Sequence, residues 1–256
     1  PPPLNAHCRM GRFAYNTAMP IKKLAARRPS ARSTGAEDPI VLVTGFEPFA
    51  GMPESSTEAP VRGLQGFRVA GARVQALILP AAYATAGRKL RNAIKRFNPC
   101  AVVCFGAGPK GPVLLERLAR NRDDDARPDA ARKVSRGTPI DRKGPPEAAS
   151  TLPLDVIRAR LAAAEIPAIA SDDAGGYLDN HVFYHAVRTM PADQGVAGLI
   201  RIPSLISKTD LVGKARHRMQ AATAVRLIVG AAAERGVVFR TAAQARTAVE
   251  PLKRSR

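Results

Sequence analysis

The sequence predicts one α/β domain, a mostly parallel sheet sandwiched between helices. Three observations carry this. Short apolar runs at Ile40–Thr44, Val74–Leu79, Cys100–Gly106 and Ala197–Ile202 have the length and composition of buried strands. The segments between them place apolar residues at helical spacing, and strands that alternate with helices pair in parallel through crossovers. At 256 residues, 45% of them hydrophobic, the chain can bury a substantial core in a single domain.

Residues 1–38 open on Pro1-Pro2-Pro3 and carry Lys22-Lys23, Arg27-Arg28 and Arg32 without helical or strand periodicity, which predicts a disordered basic extension. The chain does not begin with Met, which suggests either a fragment or a mis-called start, Met19 being the start in the second case. No apolar segment follows Arg27-Arg28, so the pair does not read as an export signal. Ile40–Thr44 then forms a strand that ends in the turn Gly45-Phe46-Glu47-Pro48-Phe49, which would present two rings at the sheet's edge. Ser55-Ser56-Thr57-Glu58 supplies an N-cap and an early acid for a helix over residues 55–63. After the strand Val74–Leu79, residues Ala86, Leu90, Ala93, Ile94 and Phe97 form one helical face, with Arg88, Lys89, Arg91, Lys95 and Arg96 on the solvated other. The next strand, Cys100–Gly106, leads into a glycine-containing loop, residues 107–112, that matches no phosphate-binding signature.

Glu116 lies among apolar neighbours in the stretch Val113–Asn121, and a buried carboxylate there needs a partner. Residues 122–149 are polar and Pro-rich, with Asp123-Asp124-Asp125 and no periodicity, the signature of a lid or a disordered loop. A helix over Pro153–Ala164 buries Leu154, Ile157, Leu161 and Ala164. The apolar strand Ile169–Ser171 then meets a Gly175-Gly176 turn and a helix over Asn180–Met190. Such a joint sets side chains at the carboxyl edge of a parallel sheet, where α/β proteins place their sites. A long helix over Gly213–Arg235 completes the domain of residues 39–235, and residues 236–256 read as a mobile basic tail.

The net charge of +19 raises a nucleic-acid reading, since clustered cations displace counterions from phosphates. Scattered Arg residues, no Trp and the lack of a recognised motif argue against it, leaving the basic termini as its remaining basis. Cys100 and Cys104 sit in or beside an apolar strand and, with Cys8, suit reduced thiols in the cytoplasm better than a disulfide framework. No apolar run approaches a membrane span, so no membrane partner is expected.

Five blocks carry a resemblance: Val41–Phe49; Glu116–Asn121; Gly144-Pro145 with Ser150–Pro153; Ala174–Tyr184; and Gly198–Pro203. Together they resemble the pyroglutamyl-peptidase I (pyrrolidone-carboxylate peptidase) family over roughly residues 39–235. The resemblance implies a phosphorylase/hydrolase-like α/β/α sandwich and removal of N-terminal pyroglutamate by a cysteine, a histidine and a glutamate. No cofactor or metal is implied. The partner it implies is a small molecule or peptide N-terminus bearing a pyroglutamyl group, and it allows a homo-oligomer. Phe46 and Phe49 match the rings that clamp the lactam, and Glu116 matches the glutamate. The cysteine position holds Asp179 and the histidine position Arg201.

Those two residues change the chemistry. A thiolate beside a helix N-terminus attacks amides, whereas a carboxylate held ionised there is a poor nucleophile. Arg201 stays protonated and cannot serve as general base. Asp179 is expected to cap the helix with a depressed pKa, and Glu116, Asp179 and Arg201 to form one ion cluster. The reading is a pseudo-peptidase that keeps a small lactam or acyl pocket. Its rival is an active amidohydrolase in which Glu116 and Asp179 activate water as a carboxylate pair, which needs one of them to titrate high. Cys104 reads as a core thiol, and His181 and His185, without a third ligand, fall short of a metal motif.

Overall fold

The computed structural model describes residues 38–48, 56–204 and 211–254, all within the compact unit Glu37–Arg256, with side chains described outside 211–217 and 244–254. In chain order the elements are β1 (Ile40–Phe46), α1 (Glu58–Arg62), β2 (Arg68–Val69), β3 (Ala72–Leu79), α2 (Tyr83–Phe97), β4 (Ala101–Gly108), β5 (Val113–Glu116), β6 (Leu118–Arg120), β7 (Asp123–Asp125), β8 (Ser135–Thr138), β9 (Glu147–Ala149), α3 (Leu154–Ala163), β10 (Ala168–Ser171), α4 (Leu178–Thr189), β11 (Val196–Pro203) and α5 (Leu211–Arg254).

Seven strands form the main sheet in the order β10-β5-β11-β4-β1-β3-β2. The centre is parallel, with β1 beside both β3 and β4, and β4 beside β11. At one side β5 runs antiparallel to β11 and carries β10 parallel to itself, and at the other β2 is antiparallel to β3. Successive side chains on a strand point to opposite faces, so the buried central strands divide their residues between two cores. Val41, Val43, Val103, Phe105, Ile200 and Ile202 pack with α1, α3 and α5, while Leu42, Val102, Cys104 and Leu199 pack with α2 and α4. The result is the expected α/β/α sandwich. Full burial of side chains such as Phe105, Phe183 and Leu199 contributes roughly 1.5–3 kcal/mol each toward it.

Several local expectations change. α1 begins only at Glu58, and Thr57 makes no side-chain cap because its Oγ1 accepts the backbone N–H of Phe46 at 3.3 Å. Ile169, in the apolar run that becomes the sheet's last strand β10, is 52% exposed. Ala164 terminates α3 at the surface. Residues 122–149, read as a lid or disordered loop, are instead built from β7 paired with β8 and from β9 paired with β6. Side chains outside the excursion pin it where periodicity gives no sign of order: Asn121 Nδ2 donates to Asp141 O at 2.7 Å, Tyr177 Oη to Pro128 O at 2.9 Å and Tyr184 Oη to Pro145 O at 2.8 Å.

The tail beginning at residue 236 is also corrected. α5 continues to Arg254, and Val237 and Phe239 pack against the core while Arg240 bonds to Asn98 O. A helix expected to stop at Arg235 is extended because these apolar residues prolong its buried stripe. The extension expected over residues 1–38 lies outside the described residues apart from Asp38, as does Phe49.

A candidate ligand pocket at the carboxyl edge of the sheet

Phe46, Gly106 and Arg201 stand at or near the carboxyl ends of β1, β4 and β11, and the turn into α4 lies over them. That turn depends on Gly175, whose φ of 73° is favourable only for glycine. The next contact depends on another missing side chain. A Cβ on Gly106 would come within 2.6 Å of the Asp179 carboxyl carbon, so only glycine lets that carboxyl lie against β4. Arg201 is the register neighbour of Gly106, which brings the residues from β11 and α4 to the same spot.

There a cavity of about 420 Å³ is lined by Phe46, Thr57, Arg127, Tyr177, Asp179, Arg201 and Ser204, among others. Phe46 and Tyr177 supply apolar surface, each only 8% exposed. Glu116 lies behind the lining, fully buried, and its Oε1 accepts from Arg201 Nε at 2.7 Å. Arg201 Nη2 donates to Asp173 O at 2.7 Å. Arg127 reaches the pocket from the connection between β7 and β8. Its guanidinium is gripped by both carboxylate oxygens of Asp125 and lies 4.4 Å from the Tyr177 ring centre.

Asp179 departs from expectation twice. It is the second residue of α4, the N-cap being Tyr177, so its side chain is not a cap. Its pKa is pushed up to about 7, not down, because loss of water around the carboxyl outweighs the attraction of Arg201 and Arg127. Among the described residues its carboxylate makes no hydrogen bond or ion pair, so the single ion cluster resolves into an Arg201–Glu116 pair with Asp179 standing apart.

The other candidates lie elsewhere. Burial pushes the Cys104 thiol up to about 12, which makes it inert at neutral pH. His181 Nδ1 is 2.8 Å from Asp123 Oδ2, and burial lowers His185 to about 3, leaving it neutral beside Arg91. Among the described residues no group of three or more His, Cys, Asp or Glu is placed to hold a metal, and no helix is long and apolar enough to cross a membrane. A larger groove of about 920 Å³ runs between α3 and β5, but its acids Asp155 and Asp172 are tied to Arg158 and Arg117 in exposed pairs.

The sequence profile of the pyroglutamyl peptidase family matches residues 40–235. The chain belongs to this family. It is similar to the pyrrolidone-carboxylate peptidase of Gloeobacter violaceus, 38% identical over 64% of this chain and 82% of that protein. The pyrrolidone-carboxylate peptidase of Cupriavidus pinatubonensis is 37% identical over 74% of this chain and 87% of its own length. Among solved structures, pyroglutamyl peptidase I of Bacillus amyloliquefaciens superposes with a TM-score of 0.71 at 25% identity, over 78% of this chain and 98% of that one. A mutant pyrrolidone carboxyl peptidase from the hyperthermophile Pyrococcus furiosus gives 0.69 at 29% identity, over 76% and 98%. The family's fold therefore accounts for the whole sandwich.

Two residues that shape this family member's pocket escape sequence reasoning. Arg127 sits in the excursion whose order is invisible to periodicity, and Asn180 hides inside a helix. Asn180 is fully buried, accepts from Arg120 N–H at 2.8 Å, and donates to Arg120 O and Arg122 O, locking β6 and the chain leading to β7 against α4. A polar residue at full burial is the physical signal, and burial is a property of the fold.

Proposed function

We propose that this family member keeps a pocket for pyroglutamyl or related small lactam and acyl groups but has lost the thiol–imidazole peptidase reaction. The observation that carries this reading is Arg201. At the position that the resemblance gives to the histidine base stands a guanidinium bound to a buried carboxylate, which neither accepts a proton nor releases one. Asp179, at the cysteine position, would form a tetrahedral adduct on attacking an amide, and its collapse to a mixed anhydride with expulsion of the amine would need a proton donor that Arg201 cannot be. Phe46 and Tyr177 leave flat apolar walls suited to a small lactam ring. The free, buried thiols of Cys100 and Cys104 support a reducing, cytoplasmic setting.

One observation favours the carboxylate-pair reading, namely a carboxyl at Asp179 that titrates near neutrality. Against it, Glu116 does not line the cavity and its Oε1 is held by Arg201, so the two acids do not share a water from the same pocket. Release of a fluorophore from a pyroglutamyl-aminocoumarin decides between them. A silent wild type, with turnover in the Asp179→Cys/Arg201→His double variant, establishes a retained pocket without its chemistry. Cleavage by the wild type that Glu116→Ala abolishes establishes the carboxylate pair instead.

A further inference from the structure

We propose that the pocket selects small free carboxylic acids with a flat apolar body, Arg127 and Arg201 receiving the carboxylate while Asp179 takes up a proton on binding. The proposal deepens the lactam-pocket reading above and rests on it. Its geometry is a cavity of about 420 Å³ lined by both arginines. Each is fixed through Nε and Nη2, Arg127 on Asp125 and Arg201 on Glu116 and Asp173 O. Each therefore keeps Nη1 without a hydrogen-bond partner among the described residues, already oriented at no further entropic cost. A ligand whose carboxyl is tied up in a peptide bond offers these donors only a neutral carbonyl, about half as strong an acceptor as a carboxylate.

An ionised Asp179 in the same cavity would repel such a ligand. Burial favours its neutral form, against the pull of two cations. Arg201 faces it from β11, Arg127 from the connection between β7 and β8, Glu116 from β5 and Cys104 from β4, with Tyr177 beside it at the start of α4 and Glu47 lining the same cavity beyond β1. Burial already holds its carboxyl at about 7, and a bound anion pushes it higher. Binding above neutrality thus draws in a proton. Affinity is flat below about pH 7, where Asp179 is already protonated, and falls by up to about tenfold per pH unit above it.

Calorimetric titration of the full chain with free pyroglutamate and with pyroglutamyl amide, at about pH 6 and about pH 8.5 in buffers of different ionisation heat, tests this. The expected result is about tenfold or greater preference for the acid at the lower pH, proton uptake with weaker binding at the higher, and loss of that pH dependence in Asp179→Asn. Arg127→Gln, at a side chain 63% exposed and outside the core, should weaken the acid more than the amide and so narrow the preference for the acid. Equal or tighter binding of the amide overturns the carboxylate selectivity while leaving the lactam pocket standing. Silence from both ligands overturns the pocket reading itself. An unchanged pH slope in Asp179→Asn removes Asp179 from the proposal.

Discussion

Asp179 and Glu116 are two acids in one site, and their surroundings set them apart. Glu116 has no exposure, so its stability depends on Arg201. Arg201→Leu would leave a buried carboxylate unpaired and should cost about 3–5 kcal/mol, read from the urea midpoint. The double variant Glu116→Gln/Arg201→Leu removes the stranded charge and should recover most of the loss, so recovery separates electrostatics from packing. Asp179 acts on stability through pH. With a folded pKa of about 7 against about 3.9 unfolded, it is protonated in both states below about pH 4. As pH rises toward 7 the unfolded chain ionises first, so stability falls, and the loss is complete above the folded pKa. Asp179→Asn should therefore be more stable than wild type by about 2–4 kcal/mol at pH 8 and by almost nothing at pH 4. Comparing midpoints of the two proteins at each pH cancels the separate titration of His185. That an acid stands at this position is plain in the sequence, and the direction of its pKa is not, because the sign depends on how much water the fold removes.

The same limit governs the elements. Strands β1, β3, β4 and β11 and helices α2, α3 and α4 show in the apolar pattern because each buries a stripe or both faces. Order in residues 122–149 does not show. It comes from pairings with distant groups, including Asp129, whose Oδ2 accepts the N–H of Tyr83 at the start of α2 and whose Oδ1 accepts that of Lys133. The continuation of α5 past Arg235 is equally tertiary, and Gly236 puts it to a test. Helix propensity alone makes Gly236→Ala stabilising by about 1 kcal/mol. In the fold, however, an added Cβ would collide with the backbone carbonyl of Cys100, which lies just before β4, accepts the Val196 N–H at 3.1 Å and cannot swing aside. Packing should win, and the variant should melt several degrees lower than wild type. An unchanged or higher melting temperature would mean that α5 does not approach the sheet there.

At the scale of the whole molecule, parallel alternation predicts the sandwich but not the strand order. Nothing local reveals that β5 and β10 enter antiparallel beside β11, although that insertion is what brings Glu116 next to Arg201. Charge, by contrast, is legible at once, and its consequence is collective. With 40 Lys and Arg against 21 Asp and Glu, many cations have no acid to pair with, even setting aside the seven basic residues of positions 1–37. Pairs such as Arg62–Glu58 and Arg158–Asp155 are exposed and contribute about 0–1 kcal/mol each. Added salt weakens those few attractions and also screens the excess of like charge, and the second effect involves more charges. The Debye length shrinks to about 8 Å at 0.15 M, shorter than most separations between surface cations but longer than the contacts within a pair. The melting temperature should therefore rise as NaCl increases from about 0.02 to about 0.3 M. The same field should retain any nucleic acid without regard to sequence and release it over that salt range. A melting temperature that falls with salt would show that the ion pairs outweigh the net charge. Retention that persists at the higher salt would point to a built nucleic-acid site, which the scattered placement of the Arg residues argues against.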